Sequence, residues 1–332
     1  MIARLISLAL AGIAAQAVVA APAGAAFEQR VAADRLAAGP LLAGDAVVHA
    51  ERRGDGIRLV RTPLAGGAAA TLADLTPRPS TDLVLAGLAA SADGFAYGVV
   101  EQGPADTGAL VAAARFGATP HGIDGCSGGR AAVALSGATV VHDSCGLRVA
   151  ALDEEGPGTP LAGGEAGRLP QAAEPYAAYV AGDSRPDVVV VDLRSRQDVY
   201  RMPGDALPGS LRGCTLSSNG TVVALYAVTR RVSGRRRAVT RAAWASPAAR
   251  SWHRLPLPDA RFLTARAAGD RVGFLLRPFG ASPARVGVVP LTAGATRTLA
   301  SGRFGRTIDF DGKRIAYSVA RRGVRLLRVR DV

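Results

Sequence analysis

A short apolar triplet recurs seven times along this chain and constrains its fold more than any other feature. The copies are Val47-Val48-His49, Phe95-Ala96-Tyr97, Val133-Ala134-Leu135, Ala177-Ala178-Tyr179, Val223-Ala224-Leu225, Val272-Gly273-Phe274 and Ile315-Ala316-Tyr317. Successive copies start 48, 38, 44, 46, 49 and 43 residues apart. A repeat of about 40–50 residues that contains strands and turns is typical of a β-propeller, in which each repeat forms one blade.

The last repeat shows the pattern most clearly. Residues 307–310 are predicted to form a short strand, and Asp311-Gly312 is a tight-turn dipeptide in which glycine supplies positive φ without steric cost. Residues 313–319 alternate, Arg321-Arg322-Gly323 reverses the chain, and Val324–Val329 alternates again. This repeat therefore predicts three antiparallel strands joined by tight turns.

The other repeats follow the same plan and extend it to four strands. Third strands are predicted at 57–64, 109–116, 147–152, 188–193, 239–244, 285–291 and 324–329, and fourth strands at 70–75, 159–162, 198–202, 252–257 and 296–300. The second repeat lacks a convincing fourth strand because Pro120 and nearby glycines interrupt it. The third repeat has a surplus strand at Thr139–His142, which the pattern does not place.

The last repeat ends after its third strand, which would leave an exposed sheet edge. The segment Phe27–Ala32 has no partner of its own, so we expect it to pair beside Val324–Val329 and close the ring. The predicted fold is an all-β, seven-bladed β-propeller of four-stranded antiparallel blades, with the last blade closed by the mature N-terminal strand.

The first 26 residues read as a signal peptide. Arg4 precedes an apolar stretch from Leu5 to Ala21, and small residues at Ala23, Ala25 and Ala26 offer cleavage sites. An uncleaved membrane anchor is the alternative. No second apolar run of spanning length follows, so we expect residues 27–332 to form one propeller domain without a membrane span, secreted to the cell envelope.

The chain has three cysteines, at positions 126, 145 and 214. Export implies an oxidising compartment, and Cys126 and Cys145 fall 19 residues apart in what the triplet spacing defines as one repeat. We therefore expect a disulfide between Cys126 and Cys145 across one blade, with Cys214 buried and inert. The alternative is that all three thiols are free.

The formal net charge is +13, and all basic residues except Lys313 are arginines. Attraction to anionic polymers is one interpretation, and a genome rich in G and C is the other. The sharpest local feature is a basic hairpin that connects the second and third strands of the fifth repeat. Its candidate anion-binding residues are Arg230, Arg231, Arg235, Arg236 and Arg237, with Arg241 beyond them. Guanidinium groups form two-pronged contacts with phosphate or carboxylate.

Residues suited to catalysis or metal binding do not form a recognisable set. The four histidines at 49, 121, 142 and 253 form no metal-binding pair, and no C-x-x-C spacing suits zinc. Asp153-Glu154-Glu155 reads as a solvated loop, and Asp309 and Asp311 flank a turn. We therefore predict no catalytic, cofactor-binding or metal-binding residues.

The segment Asp309-Phe310-Asp311-Gly312-Lys313-Arg314-Ile315-Ala316-Tyr317 resembles the repeat core of TolB-type, WD40-like propellers. Residues 217–224 match it in part, and no repeat has the Ser-Pro pair of that family directly before its turn dipeptide. The resemblance covers the mature chain as a period but only two or three repeats as a motif. It implies the propeller fold and a periplasmic or extracellular binding role, and it assigns no catalytic residue.

These observations predict an exported, non-catalytic propeller that acts as a binding or scaffolding module. Its partner would be a protein or an anionic cell-envelope polymer, bound on the loop-rich face around the channel. Nucleic acid is not expected, because Tyr226 and Trp244 are the only aromatic residues near the basic hairpin. We expect a monomer without a cofactor. The alternative is a propeller hydrolase, lactonase-like or glycan-cleaving, that uses carboxylates facing the axis.

Overall fold

The computed structural model of the protein describes residues 27–332 except 105, 128, 162–166, 184–185 and 293. The predicted signal peptide, residues 1–26, lies outside the described residues. In the part of the chain that the structure describes, no helix is long and apolar enough to cross a membrane.

The strands form seven four-stranded antiparallel sheets, which we number as blades 1 to 7. Blades 1 to 3 contain β2 (Leu36–Ala43), β3 (Ala46–Arg53), β4 (Gly56–Pro63), β5 (Ala70–Leu75); β6 (Asp82–Ala90), β7 (Gly94–Gln102), β8 (Thr107–Arg115), β9 (His121–Ser127); and β10 (Val133–Ser136), β11 (Thr139–His142), β12 (Arg148–Ala151), β13 (Thr159–Pro160). Within each blade, consecutive strands are neighbours, so the predicted meander is confirmed.

Blades 4 to 6 repeat this order, and blade 7 takes its fourth strand from the other end of the chain. They contain β14 (Arg168–Ala173), β15 (Tyr176–Ala181), β16 (Asp187–Asp192), β17 (Asp198–Met202); β18 (Ser210–Leu216), β19 (Val222–Val232), β20 (Arg235–Ala245), β21 (His253–Arg254); β22 (Phe262–Ala268), β23 (Arg271–Arg277), β24 (Ala284–Pro290), β25 (Arg297–Gly302); and β26 (Phe304–Phe310), β27 (Arg314–Arg321), β28 (Val324–Asp331) with β1 (Phe27–Ala32). A 3₁₀ turn at Gly204–Ala206 follows β17.

The closure predicted for blade 7 is confirmed. Strand β1 pairs with β28 in antiparallel register, from Phe27 opposite Val329 to Ala32 opposite Val324. Its inward side chains Phe27 and Val31 are buried, whereas Glu28 and Arg30 between them are exposed. This alternation of buried and exposed side chains is typical of a half-buried outer strand. The segment has this pattern although its pairing partner, β28, lies at the other end of the chain.

Buried apolar side chains join each blade to the next. Seven clusters each combine residues of two neighbouring blades, and the smallest joins blade 7 to blade 1 through Phe27, Leu42, Val47, Ala316 and Val329. Second strands are buried on both faces, which is why the triplets contain no alternating polar residue. The core is therefore a ring of interfaces between blades.

Two predictions about individual strands were wrong. The third triplet, Val133-Ala134-Leu135, lies in the first strand of its blade, and the surplus segment Thr139–His142 is the second strand. Blade 2 does have a fourth strand, β9, which begins directly after Pro120. An outermost strand needs partners on one side only, so the glycines that interrupt β9 are tolerated there.

The strand assignment in blade 3 puts His49 and His142 at equivalent positions of their blades. With Val140-Val141-His142 as the third triplet, the last triplet position carries a ring in six blades. The residues at that position are His49, Tyr97, His142, Tyr179, Leu225, Phe274 and Tyr317. His49 and His142 are fully buried, and burial lowers the pKa of each imidazole below its ordinary value of 6.5.

The disulfide between Cys126 and Cys145 is present, but it does not lie within one blade as predicted. Cys126 is in β9 of blade 2, and Cys145 is in the connection between β11 and β12 of blade 3. The Cα atoms are 5.8 Å apart, within the usual range for a disulfide. The bond therefore ties two neighbouring blades together. Cys214 is free and buried, as expected, and burial raises the pKa of its thiol to about 12.

Reducing this disulfide should destabilise the fold. Closing a chain loop of this size removes unfolded-state entropy worth roughly 3 kcal/mol, so we expect a reductant to lower the free energy of unfolding by about that amount in urea titrations. The double variant Cys126→Ser, Cys145→Ser should match the reduced protein and show no further response to reductant. Equal stability of the oxidised and reduced wild type would contradict the stabilising role.

Stability should also fall as the pH is lowered through the histidine range. Since the folded-state pKa values of His49 and His142 lie below 6.5, the unfolded chain binds more protons below that pH, and folding is progressively disfavoured. We expect urea titrations from pH 7.5 to 5.5 to show this loss, and the double variant His49→Gln, His142→Gln to flatten it. The exposed His253 provides a control, since His253→Gln should leave the wild-type slope unchanged; an unflattened slope in the double variant would argue against the buried imidazoles.

Candidate functional site

The direction of the strands defines two faces of the ring. First strands run from the links between blades to a tight turn, so the turns between first and second strands, such as residues 311–313, lie on one face, the turn face. The links between blades and the connections from second to third strands lie on the opposite face, the loop face. Loops held by a rigid scaffold are the usual place for binding residues.

The basic hairpin predicted from the sequence is the tip of β19 and β20 on the loop face. These two 11-residue strands extend the blade, and the register places Arg230 opposite Arg237 and Arg231 opposite Arg236, with Arg235 opposite Val232. All five arginines are exposed. The structure thus brings together every arginine of the predicted anion-binding set.

The arginine pairs make the hairpin electrostatically unusual. Side chains directly opposite in an antiparallel pair have Cβ atoms about 4.5–5.5 Å apart, and like charges at such positions are destabilising. Of the five tip arginines, Arg230 alone reaches a carboxylate in the described residues, Asp259 at 3.7 Å. The other four project charge into solvent with no carboxylate partner there, so an anion bound between them would relieve the repulsion.

Arg241, which the sequence grouped with the hairpin, has a different role. It is buried, and its guanidinium donates two hydrogen bonds to Asp259, of 2.7 and 2.8 Å. Arg254 approaches the same carboxylate at 3.4 Å. This charge-assisted, two-pronged contact fixes the base of the hairpin to the link that enters blade 6. Arg241 therefore positions the hairpin and is not available to a ligand.

A cavity of about 520 Å³ occupies the channel mouth on the turn face. Its wall is largely Leu, Ala, Gly and Ser, and its polar groups centre on Asp309 and Arg266. Asp309 accepts a hydrogen bond of 2.8 Å from the Leu42 amide of blade 1, and Arg266 lies 3.7 Å from Asp309 and 3.3 Å from the amide oxygen of Gln171. These contacts link blades 1, 4, 6 and 7 around the channel.

The Asp309 carboxyl is not part of an acid–base pair. Burial raises its pKa, and Arg266 and the Leu42 amide oppose that shift. The other acidic group at the mouth, Asp311, binds its own turn and Arg314. In the described ranges, no three His, Cys, Asp or Glu side chains are grouped to hold a metal ion.

Ser144, His142 and Asp124 form a buried cluster at the junction of blades 2 and 3. Ser144 donates a 2.7 Å hydrogen bond to Asp124, and Nδ1 of His142 faces both the serine oxygen, at 3.2 Å, and the Asp124 carboxylate, at 3.8 Å. Nε2 donates to the Pro157 carbonyl. A nucleophilic relay needs the serine and the carboxylate on different ring nitrogens. This cluster is instead a structural contact beside the disulfide.

Comparisons with known proteins were informative for the fold alone. No protein-family model and no curated protein matches the chain. Among solved structures, TolB from Acinetobacter baumannii matches with a TM-score of 0.50 and 13% identity, covering 88% of this chain and 64% of that one. The chain thus spans less than two thirds of TolB.

Two other similar structures belong to proteins of different kinds. The propeller domain of Cps50 (Swd1) from Myceliophteria thermophila matches at a TM-score of 0.52 and 12% identity, over 92% of this chain and 98% of that one. Prolyl oligopeptidase B from Galerina marginata matches at 0.53 and 13%, over 93% and 46%. Likeness at this identity shows the fold and not the activity. The chain therefore has the fold of the TolB-type, WD40-like β-propellers, as its repeat motif indicated.

Proposed function

We propose that this protein is an exported, non-catalytic β-propeller that binds an anionic ligand on its loop face through the arginine hairpin. The observation that carries the proposal is the register of β19 and β20, which sets Arg230 against Arg237 and Arg231 against Arg236 at an exposed tip. Repulsion between like charges costs folding energy in the free protein. A bound anion would turn that cost into affinity.

The geometry suits a phosphate, sulfate or carboxylate presented by a large partner. Guanidinium groups bind these anions with two parallel N–H donors, and the hairpin offers several such groups on one rigid ribbon. The anchored base at Arg241 and Asp259 keeps the ribbon in place, which reduces the entropy lost on binding. An acidic protein surface and an anionic envelope polymer present the same chemistry to this tip.

Export is supported by two independent features. The sequence of residues 1–26 has the order of a signal peptide. The disulfide between blades 2 and 3 is of the kind that persists in oxidising compartments outside the cytoplasm. Export would present the arginine face to envelope polymers and surface proteins.

The binding proposal predicts that neutralising the hairpin tip weakens retention on an anionic support. The triple variant Arg235→Ala, Arg236→Ala, Arg237→Ala should elute from a dextran sulfate column at lower salt and lower the slope of log affinity against log salt by roughly 2. These side chains are exposed and pair with no carboxylate among the described residues, so the fold should be unaffected.

A matched variant separates local binding from net charge. Arg194, Arg196 and Arg250 are exposed arginines on the turn-face side of blades 4 and 5. Changing these three to Ala removes the same three charges and should leave retention close to that of the wild type. If the two triple variants elute at the same salt concentration, the hairpin is not the binding element.

A further inference from the structure

A second basic surface, which the sequence did not single out, lies between blades 6 and 7 on the loop face. It consists of two adjoining cavities of about 850 and 680 Å³, which share Arg303 and Ala320. We refer to them together as the arginine groove. Eight arginines line it: Arg30, Arg261, Arg277, Arg303, Arg306, Arg321, Arg322 and Arg325.

The charge of the arginine groove is uncompensated. Among the residues that the structure describes, no Asp or Glu lines either cavity. Across the described residues, no ion pair involves any of the eight arginines, although fifteen ion pairs are found elsewhere in the ring. A concave surface lined by one sign of charge concentrates the field and raises the local concentration of counter-ions. The groove is therefore built to attract anions.

The groove is held by rigid elements. Arg277, at the end of β23, donates hydrogen bonds to the carbonyl oxygens of Phe304 and Gly305 in blade 7, and its guanidinium lies 5.9 Å from the Phe262 ring centroid. The amide of Arg261 donates to the Arg277 carbonyl, at 2.8 Å. Arg325 sits in the paired part of β28, opposite Ala320. These arginines thus extend from the ends of paired strands, which favours a preformed site.

We propose that the arginine groove binds a polysaccharide that carries sulfate or phosphate ester groups. Two connected cavities with arginines along both exceed what a single anion would occupy, so several anionic groups are bound at once. A sulfate or phosphate monoester offers three acceptor oxygens and can be shared by guanidinium groups from β1, β26, β27 and β28, whereas a carboxylate offers two. Both esters present this same tetrahedral oxyanion.

Single-stranded nucleic acid fits this groove less well. Its binding depends on aromatic rings on which the bases stack. The two rings that line the groove are already engaged, since Phe304 is buried against Tyr317 and Phe262 packs beside Arg277. The arginines therefore offer contacts to the anionic groups and leave no platform for bases.

This site is separate from the hairpin and does not depend on the function proposed for it. No residue is shared between them. The link into blade 6 connects the two, because Asp259 pairs with Arg241 at the base of the hairpin and Arg261, two residues later, enters the groove. Substituting the exposed arginines of one site leaves Asp259 and Arg261 in place, so loss of one site should leave the other intact.

The test uses the full-length mature protein and sulfated dextran oligomers, with binding measured by calorimetry at fixed ionic strength. The variant Arg303→Ala, Arg306→Ala, Arg322→Ala removes three exposed groove arginines. We expect it to weaken binding at least about tenfold and to lower the salt slope by roughly 2. The turn-face control, Arg194→Ala, Arg196→Ala, Arg250→Ala, should change affinity less than twofold.

Two further arms examine the chemistry. Changing the same three arginines to Lys keeps the charge and removes the guanidinium fork, so an intermediate loss is expected. Phosphorylated dextran should bind about as well as sulfated dextran, which shares its tetrahedral oxyanion, and polygalacturonate, which carries carboxylates, should bind more weakly.

Four outcomes would overturn the proposal. The first is a groove variant that binds as tightly as the turn-face control, and the second is free sulfate that competes at the same total sulfate concentration as the oligomer. The third and fourth are polygalacturonate, or a single-stranded oligonucleotide of equal charge, that binds as tightly as the sulfated oligomer. If the hairpin variant alone loses affinity, the groove proposal fails while the proposed function of the hairpin stands. Unchanged thermal unfolding of each variant shows that the comparison is between folded proteins.

Discussion

The structure depends on the burial of blade faces against one another around a closed ring. A four-stranded sheet of this size has two apolar faces and cannot bury either within itself, and each junction between neighbouring blades contains its own buried cluster. Every blade therefore needs two neighbours, which an open array cannot supply at its ends. The pairing of Phe27–Ala32 with β28 completes the last blade from the opposite end of the chain.

Polar contacts reinforce the junctions where apolar burial is smallest or where the chain turns. The cluster between blades 7 and 1 has five buried members. At this junction, the Asp309 carboxylate accepts a hydrogen bond from the Leu42 amide. Ser91 donates to the Gly137 carbonyl between blades 2 and 3, and Ser217 donates to the Gly269 carbonyl between blades 5 and 6. The turn face is thus linked by hydrogen bonds between blades. The loop face instead carries the disulfide, the basic hairpin and the arginine groove.

The architecture could be predicted from the sequence because its determinants are local and repeated. Apolar triplets, turn glycines and the unpaired segment at 27–32 each report on one strand or one turn. The strand assignments were wrong where a sequence segment does not identify its strand unambiguously. In blade 3 the two short apolar strands Val133–Ser136 and Thr139–His142 are separated by only two residues. The sequence pattern therefore does not show which of them is the second strand. The outer strand β9 contains glycines that an edge position tolerates.

The candidate sites show the same division. The hairpin was predicted because its five arginines are close in sequence and the register of two adjacent strands brings them together. The arginine groove could not be predicted, because its residues come from positions 30, 261–325 and so from both ends of the chain. The disulfide pair was identified correctly, but its placement between blades required knowing that Cys126 belongs to the outer strand of blade 2.

Amide hydrogen exchange of the strand Phe27–Ala32 examines ring closure most directly. If this strand completes blade 7, its hydrogen-bonded amides should be protected together with those of β27 and β28, in one cooperative opening. If they exchange as fast as the exposed connection at residues 280–282 while β27 and β28 stay protected, the strand does not close the ring, and the arrangement of blades described above is wrong.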